Sequence, residues 1–141
     1  MAIIKNPISI VQTGGSTVQN LEYKSDVTII YSLIEDAIET LRLPDSVTTL
    51  QRYAFEGLDA ENLIIGSSSN CSLTLISEHA FRGAEITNLV IYATTPPTLY
   101  ADLDDDDYAD IDNIFVPAGS VSAYQSATNW SAYASIIQAI P

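Results

Sequence analysis

The chain has 141 residues, the size of one ordinary domain, and 47% of them are hydrophobic, enough to build a core. Its formal net charge of −13 argues against electrostatic binding to nucleic acid or anionic lipid, because phosphate would be repelled. No apolar run approaches the ~20 residues that cross a bilayer, and Cys71 stands alone, so an internal disulfide is excluded.

The first residues, Met1-Ala2-Ile3-Ile4-Lys5-Asn6-Pro7, do not read as a secretory signal, since Lys5, Asn6 and Pro7 interrupt the apolar pieces. The expectation is a protein that stays inside the cell that made it or leaves by lysis, unless a signal lies outside this sequence. Residues 1–25 form a distinct N-terminal arm. In it, Ile8-Ser9-Ile10-Val11 and Val18-Gln19-Asn20-Leu21-Glu22-Tyr23 flank Thr13-Gly14-Gly15-Ser16, the pattern of a β-hairpin. An isolated hairpin is marginal in water, so the arm is expected to pack on the rest of the chain or on another subunit. Residues 26–141 form the second unit, starting with a degenerate repeat over 26–38 whose apolar positions are Val27, Ile29, Ile30, Leu33 and Ile34.

Short apolar strands then recur: Leu41-Arg42-Leu43, Leu63-Ile64-Ile65, Leu89-Val90-Ile91 and Ile114-Phe115-Val116, starting 22, 26 and 25 residues apart. That spacing lies within the ~20–29-residue period of a leucine-rich solenoid. Two repeats align residue by residue at an offset of 26: Leu50-Gln51-Arg52-Tyr53-Ala54-Phe55-Glu56-Gly57 onto Ile76-Ser77-Glu78-His79-Ala80-Phe81-Arg82-Gly83. Phe55 and Phe81 are large enough to fill the interior of successive coils, Ala54 and Ala80 let the backbone pass close by, and Gly57 and Gly83 permit a turn. Gly66-Ser67-Ser68-Ser69-Asn70 reads as a mobile turn insertion. At the C-terminus, Val121, Tyr124 and Ala127, then Trp130, Tyr133, Ala134 and Ile137, fall at helical spacing. This predicts two short helices, N-capped by Ser120 and Asn129, that cover the open end of the core.

Leu43-Pro44-Asp45-Ser46-Val47-Thr48-Thr49-Leu50 followed by Tyr53-Ala54-Phe55-Glu56-Gly57 resembles the BspA-type leucine-rich repeat. The ending, through Ala93-Thr94-Thr95-Pro96-Pro97-Thr98-Leu99, Ile114 to Val121, Ser122-Ala123-Tyr124 and Trp130-Ser131-Ala132-Tyr133, resembles the terminal module common in that family. The resemblance covers roughly residues 38–140. It implies a leucine-rich-repeat solenoid, mainly parallel β with short helical turns and a C-terminal helical cap, adhesive or protein-binding, with no catalytic residues to carry over. Two features depart from the family: few repeats without a signal, and the acidic stretch before Ile114.

If Leu41, Leu43, Leu63, Ile65, Leu89, Ile91, Ile114 and Val116 point inward, strand alternation turns Arg42, Ile64, Val90 and Phe115 outward, with Tyr92 two residues beyond Val90. Ile64, Val90 and Phe115 would then form an apolar file where solvated strands show polar residues. An exposed file marks a partner-binding face; alternatively, the C-terminal helices, the arm or the acidic loop covers it. Asn62, Asn88 and Asn113 precede three of the strands, with Thr40 in the same place on the first. Stacked amides there are expected to hydrogen-bond along the repeat as a structural ladder.

Asp102, Asp104, Asp105, Asp106, Asp107, Asp110 and Asp112 invite a calcium reading, since hard cations take carboxylate oxygens. An EF-hand frame from Asp102 fails, because it puts Asp107 where Gly is needed and Asn113 where the bidentate Glu belongs. A looser site on Asp102, Asp104 and Asp106 is the alternative to a solvated acidic loop. Enzyme signatures are missing: no serine or cysteine has a recognisable base beside it, His79 sits where the aligned repeat has Tyr53, and neither a phosphate loop nor a Cys/His cluster occurs. The expectation is a protein without catalytic residues or cofactor.

The opening Met1 to Val11 resembles the starts of structural proteins from phages and prophages of Gram-positive gut bacteria. That resemblance implies a virion accessory protein, a capsid decoration or tail-associated part, whose residues 1–25 dock on other virion proteins while the repeats face a host-surface protein or glycan. The competing expectation is an adhesin-like or intracellular protein-binding module, at the cell surface or in the cytoplasm. A weakly capped first repeat also makes a homo-oligomer physically reasonable.

Overall fold

A computed structural model describes the backbone of residues 8–11, 19–23, 29–30, 37–101, 103 and 109–141, and side chains from residue 37 onward within those ranges. The chain alternates between two sheets. The larger contains β1 (Ile8–Val11), β2 (Gln19–Tyr23), β4 (Ile38–Leu43), β6 (Asp59–Ile65), β8 (Glu85–Ile91), β10 (Asp110–Val116) and β11 (Ile137–Ala139), adjacent in that order. The smaller contains β3 (Ile29–Ile30), β5 (Thr49–Leu50), β7 (Leu75–Ile76) and β9 (Thr98–Leu99). Pairing is parallel except between β1 and β2, which are antiparallel, and β2 then joins β4 in parallel. The protein is thus mainly parallel β sheet with few short helices.

The core lies between the sheets. Leu41, Leu43, Leu63, Ile65, Leu89, Ile91, Ile114 and Val116 enter it from the larger sheet, and Leu50, Ile76 and Leu99 from the smaller. Between them, Phe55 and Phe81 are fully buried and stacked with ring centroids 5.8 Å apart, a geometry that adds about 0.5–1.5 kcal/mol beyond area burial. Equivalent corners are hydrogen-bonded to one another: Tyr53 N–H to His79 O, Phe55 N–H to Ala80 O and Gly57 N–H to Arg82 O. Gly57 and Gly83 have φ of +69° and +65°, the left-handed region that glycine enters without steric cost.

Three expectations are corrected. The strands of three residues are six or seven residues long, extending back to Ile38, Asp59, Glu85 and Asp110. The C-terminal end is less helical than its spacing suggests. Val121–Ser126 is an α-helix (α1), but Trp130–Ile136 is a 3-10 helix, and Ile137 begins β11, in register with Ile114. Ser120 and Asn129 make no capping bond; Ser120 Oγ donates to Thr94 O (2.7 Å) and Asn129 Nδ2 to Leu99 O (2.6 Å), tying the end segments to the preceding repeat. Finally, the Gly66–Asn70 insertion is pinned rather than loose. The Asp45 carboxylate accepts from Ser67 N–H (2.8 Å) and Oγ–H (3.1 Å) and from Ser68 N–H (3.3 Å) and Oγ–H (3.0 Å).

The end of the core is closed by aromatics with satisfied polar tips. Tyr124 and Trp130 are fully buried and pack edge to face. Tyr124 donates its hydroxyl to Ala93 O (2.7 Å) and Trp130 its Nε1–H to Pro97 O (2.8 Å). Among the described residues, no helix is long and apolar enough to cross a membrane.

Candidate functional site

The parallel register brings Arg42, Ile64, Val90 and Phe115 side by side: Arg42 opposite Ile64, Ile64 opposite Val90, and Val90 opposite Phe115. Each is flanked by inward-facing neighbours, so the row lies on the outer face of the larger sheet. Gln138 continues it on β11. Arg42 is exposed, whereas Ile64, Val90 and Phe115 are half-buried, less open than a bare apolar patch. In-register side chains stand about 4.8 Å apart and shield one another. Among the described residues, the C-terminal segments send hydrogen bonds to Ala93, Thr94, Pro97 and Leu99, at the end of the stack rather than across it. Tyr92 lies just past β8, half-buried, one row beyond the file. The corresponding position one repeat earlier is Gly66, so Tyr92 has no aromatic neighbour in its own row.

Two residues back along the strands runs a continuous amide ladder. Asn62 Nδ2 donates to Thr40 Oγ1 (3.4 Å), Asn88 Nδ2 to Asn62 Oδ1 (2.9 Å), Asn113 Nδ2 to Asn88 Oδ1 (3.1 Å), and Gln138 Nε2 to Asn113 Oδ1 (3.2 Å). The ladder sits where alternation slips: Ala60 and Leu63 are both buried, so Glu61 and Asn62 both face outward, and Thr87 with Asn88 repeats the pattern. Each amide donates one hydrogen bond to the preceding strand and so locks the register.

Beyond the ladder, the strand beginnings carry acid. Asp59, Glu85 and Asp110 are exposed and in direct register. With Glu39, Glu61 and Asp112 they line an open groove of about 370 Å³. Sequence reasoning did not find this groove. Its signal was available, because Asp59 and Glu85 are separated by the same 26 residues as Asn62 and Asn88. The acidic residues lay outside the three-residue strands, where side-chain direction could not be assigned.

Asp102, Asp104 and Asp106 lie outside the described residues. Among the described residues, no group of three or more His, Cys, Asp or Glu is arranged to hold a metal ion. Cys71 is half-buried, with Sγ 3.7 Å from Ile65 O, and burial pushes its thiol up, away from the reactive thiolate form. His79 is a corner residue with φ of +58°, stacked on Tyr53 with centroids 5.7 Å apart. A scan of protein families and a search of curated proteins both return no match for this chain.

Proposed function

We propose that the chain is a non-enzymatic protein-interaction module, a short leucine-rich-repeat solenoid of the BspA type that binds its partner through the outer face of the larger sheet. One observation carries this reading: the register of Ile64, Val90 and Phe115, an apolar file on a sheet face whose preceding rows are mainly amide and acid. Solvated sheet faces alternate toward polar residues, and a contiguous apolar row is the feature interfaces use. The alternation between two mainly parallel sheets, with Phe55 and Phe81 repeated in the interior, supports the solenoid class.

Within that class, the accessory virion protein is the first reading, resting on the resemblance of Met1 to Val11. Mass spectrometry of purified particles tests it. Recovery of the chain at fixed stoichiometry supports the virion role; its absence from particles, with recovery from the cell surface or cytoplasm, moves the module to the adhesin-like or intracellular class. In either setting, Ile64→Lys/Val90→Lys is expected to abolish attachment while the melting temperature stays within a few degrees. Unchanged attachment would overturn the face.

A further inference from the structure

Resting on that interaction-module reading, we infer that the partner presents a basic amphipathic helix, laid across β6, β8 and β10 with its apolar stripe on Ile64, Val90 and Phe115 and its lysines or arginines over the acidic groove.

Charge on the face favours a basic partner. Asp59, Glu85 and Asp110 occupy consecutive register positions, and like charges placed directly opposite in a sheet destabilise it. The ion pair of Arg52 with Glu78 lies at a corner, outside the groove. The carboxylates are spread along the groove and form no cluster that would hold a metal ion, a spacing that suits separate ammonium or guanidinium groups. A second copy of this chain is disfavoured on the same face, because each copy carries a net charge of −13. Nucleic acid and anionic membranes are repelled for the same reason.

Spacing along the file favours a helix over an extended segment. The file repeats every ~4.8 Å from strand to strand. One face of a helix repeats every ~5.4 Å, and one face of an extended segment every ~6.6 Å. Over the two intervals from Ile64 to Phe115, a helix drifts by only about 1 Å and an extended segment by nearly 4 Å. The carboxylates at Glu61 and Asp59 lie about 10–16 Å from the file along the strand. A lysine or arginine on the flank of a helix about 10 Å wide reaches roughly 11 Å from its axis, which brings Glu61 and Asp112 into contact and leaves Asp59, Glu85 and Asp110 behind them in the same acidic field. The acid is therefore placed for the shoulder of the helix, and the apolar row for its underside.

The test is fluorescence polarisation with the full chain at roughly 0.15 M salt. The probe is a labelled synthetic peptide of roughly 18 residues, long enough to form a helix, with leucines at i, i+3, i+4 and i+7 spacing and lysines elsewhere. Glu61→Gln/Asp112→Asn is expected to weaken binding about five- to tenfold, with Glu56→Gln/Glu78→Gln, the same charge removed at the corners, changing it less than about twofold. A matched peptide with glutamate for every lysine is expected not to bind. Equal weakening by the two double variants, or equal binding of the glutamate peptide, overturns the inference. Ile64→Ser/Val90→Ser separates it from the broader reading, because that variant removes apolar surface without changing charge. If it weakens binding while Glu61→Gln/Asp112→Asn does not, the face stands and the basic helix falls. If neither variant matters, both fall. The groove carboxylates are exposed, so their amide variants retain the fold, and a thermal melt verifies it.

Discussion

Replacing Asn88 by alanine removes the middle rung of the amide ladder. Its Nδ2 donates to Asn62 Oδ1 at 2.9 Å and its Oδ1 accepts from Asn113 at 3.1 Å. Two such bonds are each worth about 0.5–1.5 kcal/mol net. Asn113 Nδ2 keeps a second acceptor, Thr87 O at 3.3 Å, and water reaches the half-buried row, so the expected cost is about 1–2 kcal/mol. For a chain of 141 residues that lowers the melting temperature by roughly 4–8 °C, read by circular dichroism. Asn88→Asp is the sharper variant. It keeps an acceptor for Asn113 but sets a carboxylate oxygen against Asn62 Oδ1, a contact of two acceptors. The ionised form is penalised in the fold, so the aspartate's folded pKa rises above its unfolded value of about 3.9. The protonated acid restores a donor, so the deficit is smallest below about pH 4 and grows as pH rises through the folded pKa. An Asn88→Ala melt within 1 °C of wild type, together with a pH-independent Asn88→Asp deficit, would refute the ladder as a source of stability.

Three further outcomes are expected. Gly66→Ala should lower the melting temperature far more than Gly57→Ala, though both have positive φ: a Cβ at Gly66 would sit 2.7 Å from Cys71 Sγ and 2.9 Å from Asp45 Oδ1, while one at Gly57 meets nothing within 4 Å. Equal shifts would show that backbone conformation alone sets the cost. At Asp45, burial pushes the carboxyl up, but the hydrogen bonds from Ser67 and Ser68 outweigh it and hold the group below the usual carboxylate range. A depressed folded pKa contributes stability above the unfolded value of about 3.9 and loses it as pH falls through the folded value. The gap between wild type and Asp45→Asn in denaturant melts should therefore be present at pH 6 and close in strong acid; a gap constant with pH would contradict the network. Tyr124→Phe deletes a buried hydrogen bond and strands Ala93 O, costing about 1–3 kcal/mol in urea unfolding followed by Trp130 fluorescence. Burial pushes the Tyr124 hydroxyl up, so it should titrate only on unfolding, and tyrosinate absorbance in the folded protein at that site would be inconsistent with the packing.

The strand ends were legible because Leu41, Leu63, Leu89 and Ile114 each begin a closing run with clean two-residue alternation. The strand beginnings were not, because Glu61-Asn62 both face out and Asp and Glu carry poor strand propensity. Pairing with neighbouring strands supplies the order that local preference lacks. The smaller sheet is built from two-residue strands such as Thr49–Leu50, too short for any periodicity to register. Ile137 misled for a related reason: a 3-10 turn from Trp130 mimics helical spacing until the chain re-enters the sheet beside Ile114. Half of the candidate site followed from alternation alone, since Arg42, Ile64, Val90 and Phe115 sit within the alternating runs that end the strands. The acidic groove required register, which only the paired strands fix.

The most direct measurement of the central claim is site-specific photocrosslinking in the protein's native setting, with the crosslinking amino acid placed at Val90 on the file and, in a separate preparation, at the exposed corner residue Glu56. A binding face on the larger sheet predicts one discrete crosslinked protein from position 90, lost when Ile64→Lys is added, and none from position 56. The same products from both positions, or no product at 90, would contradict it.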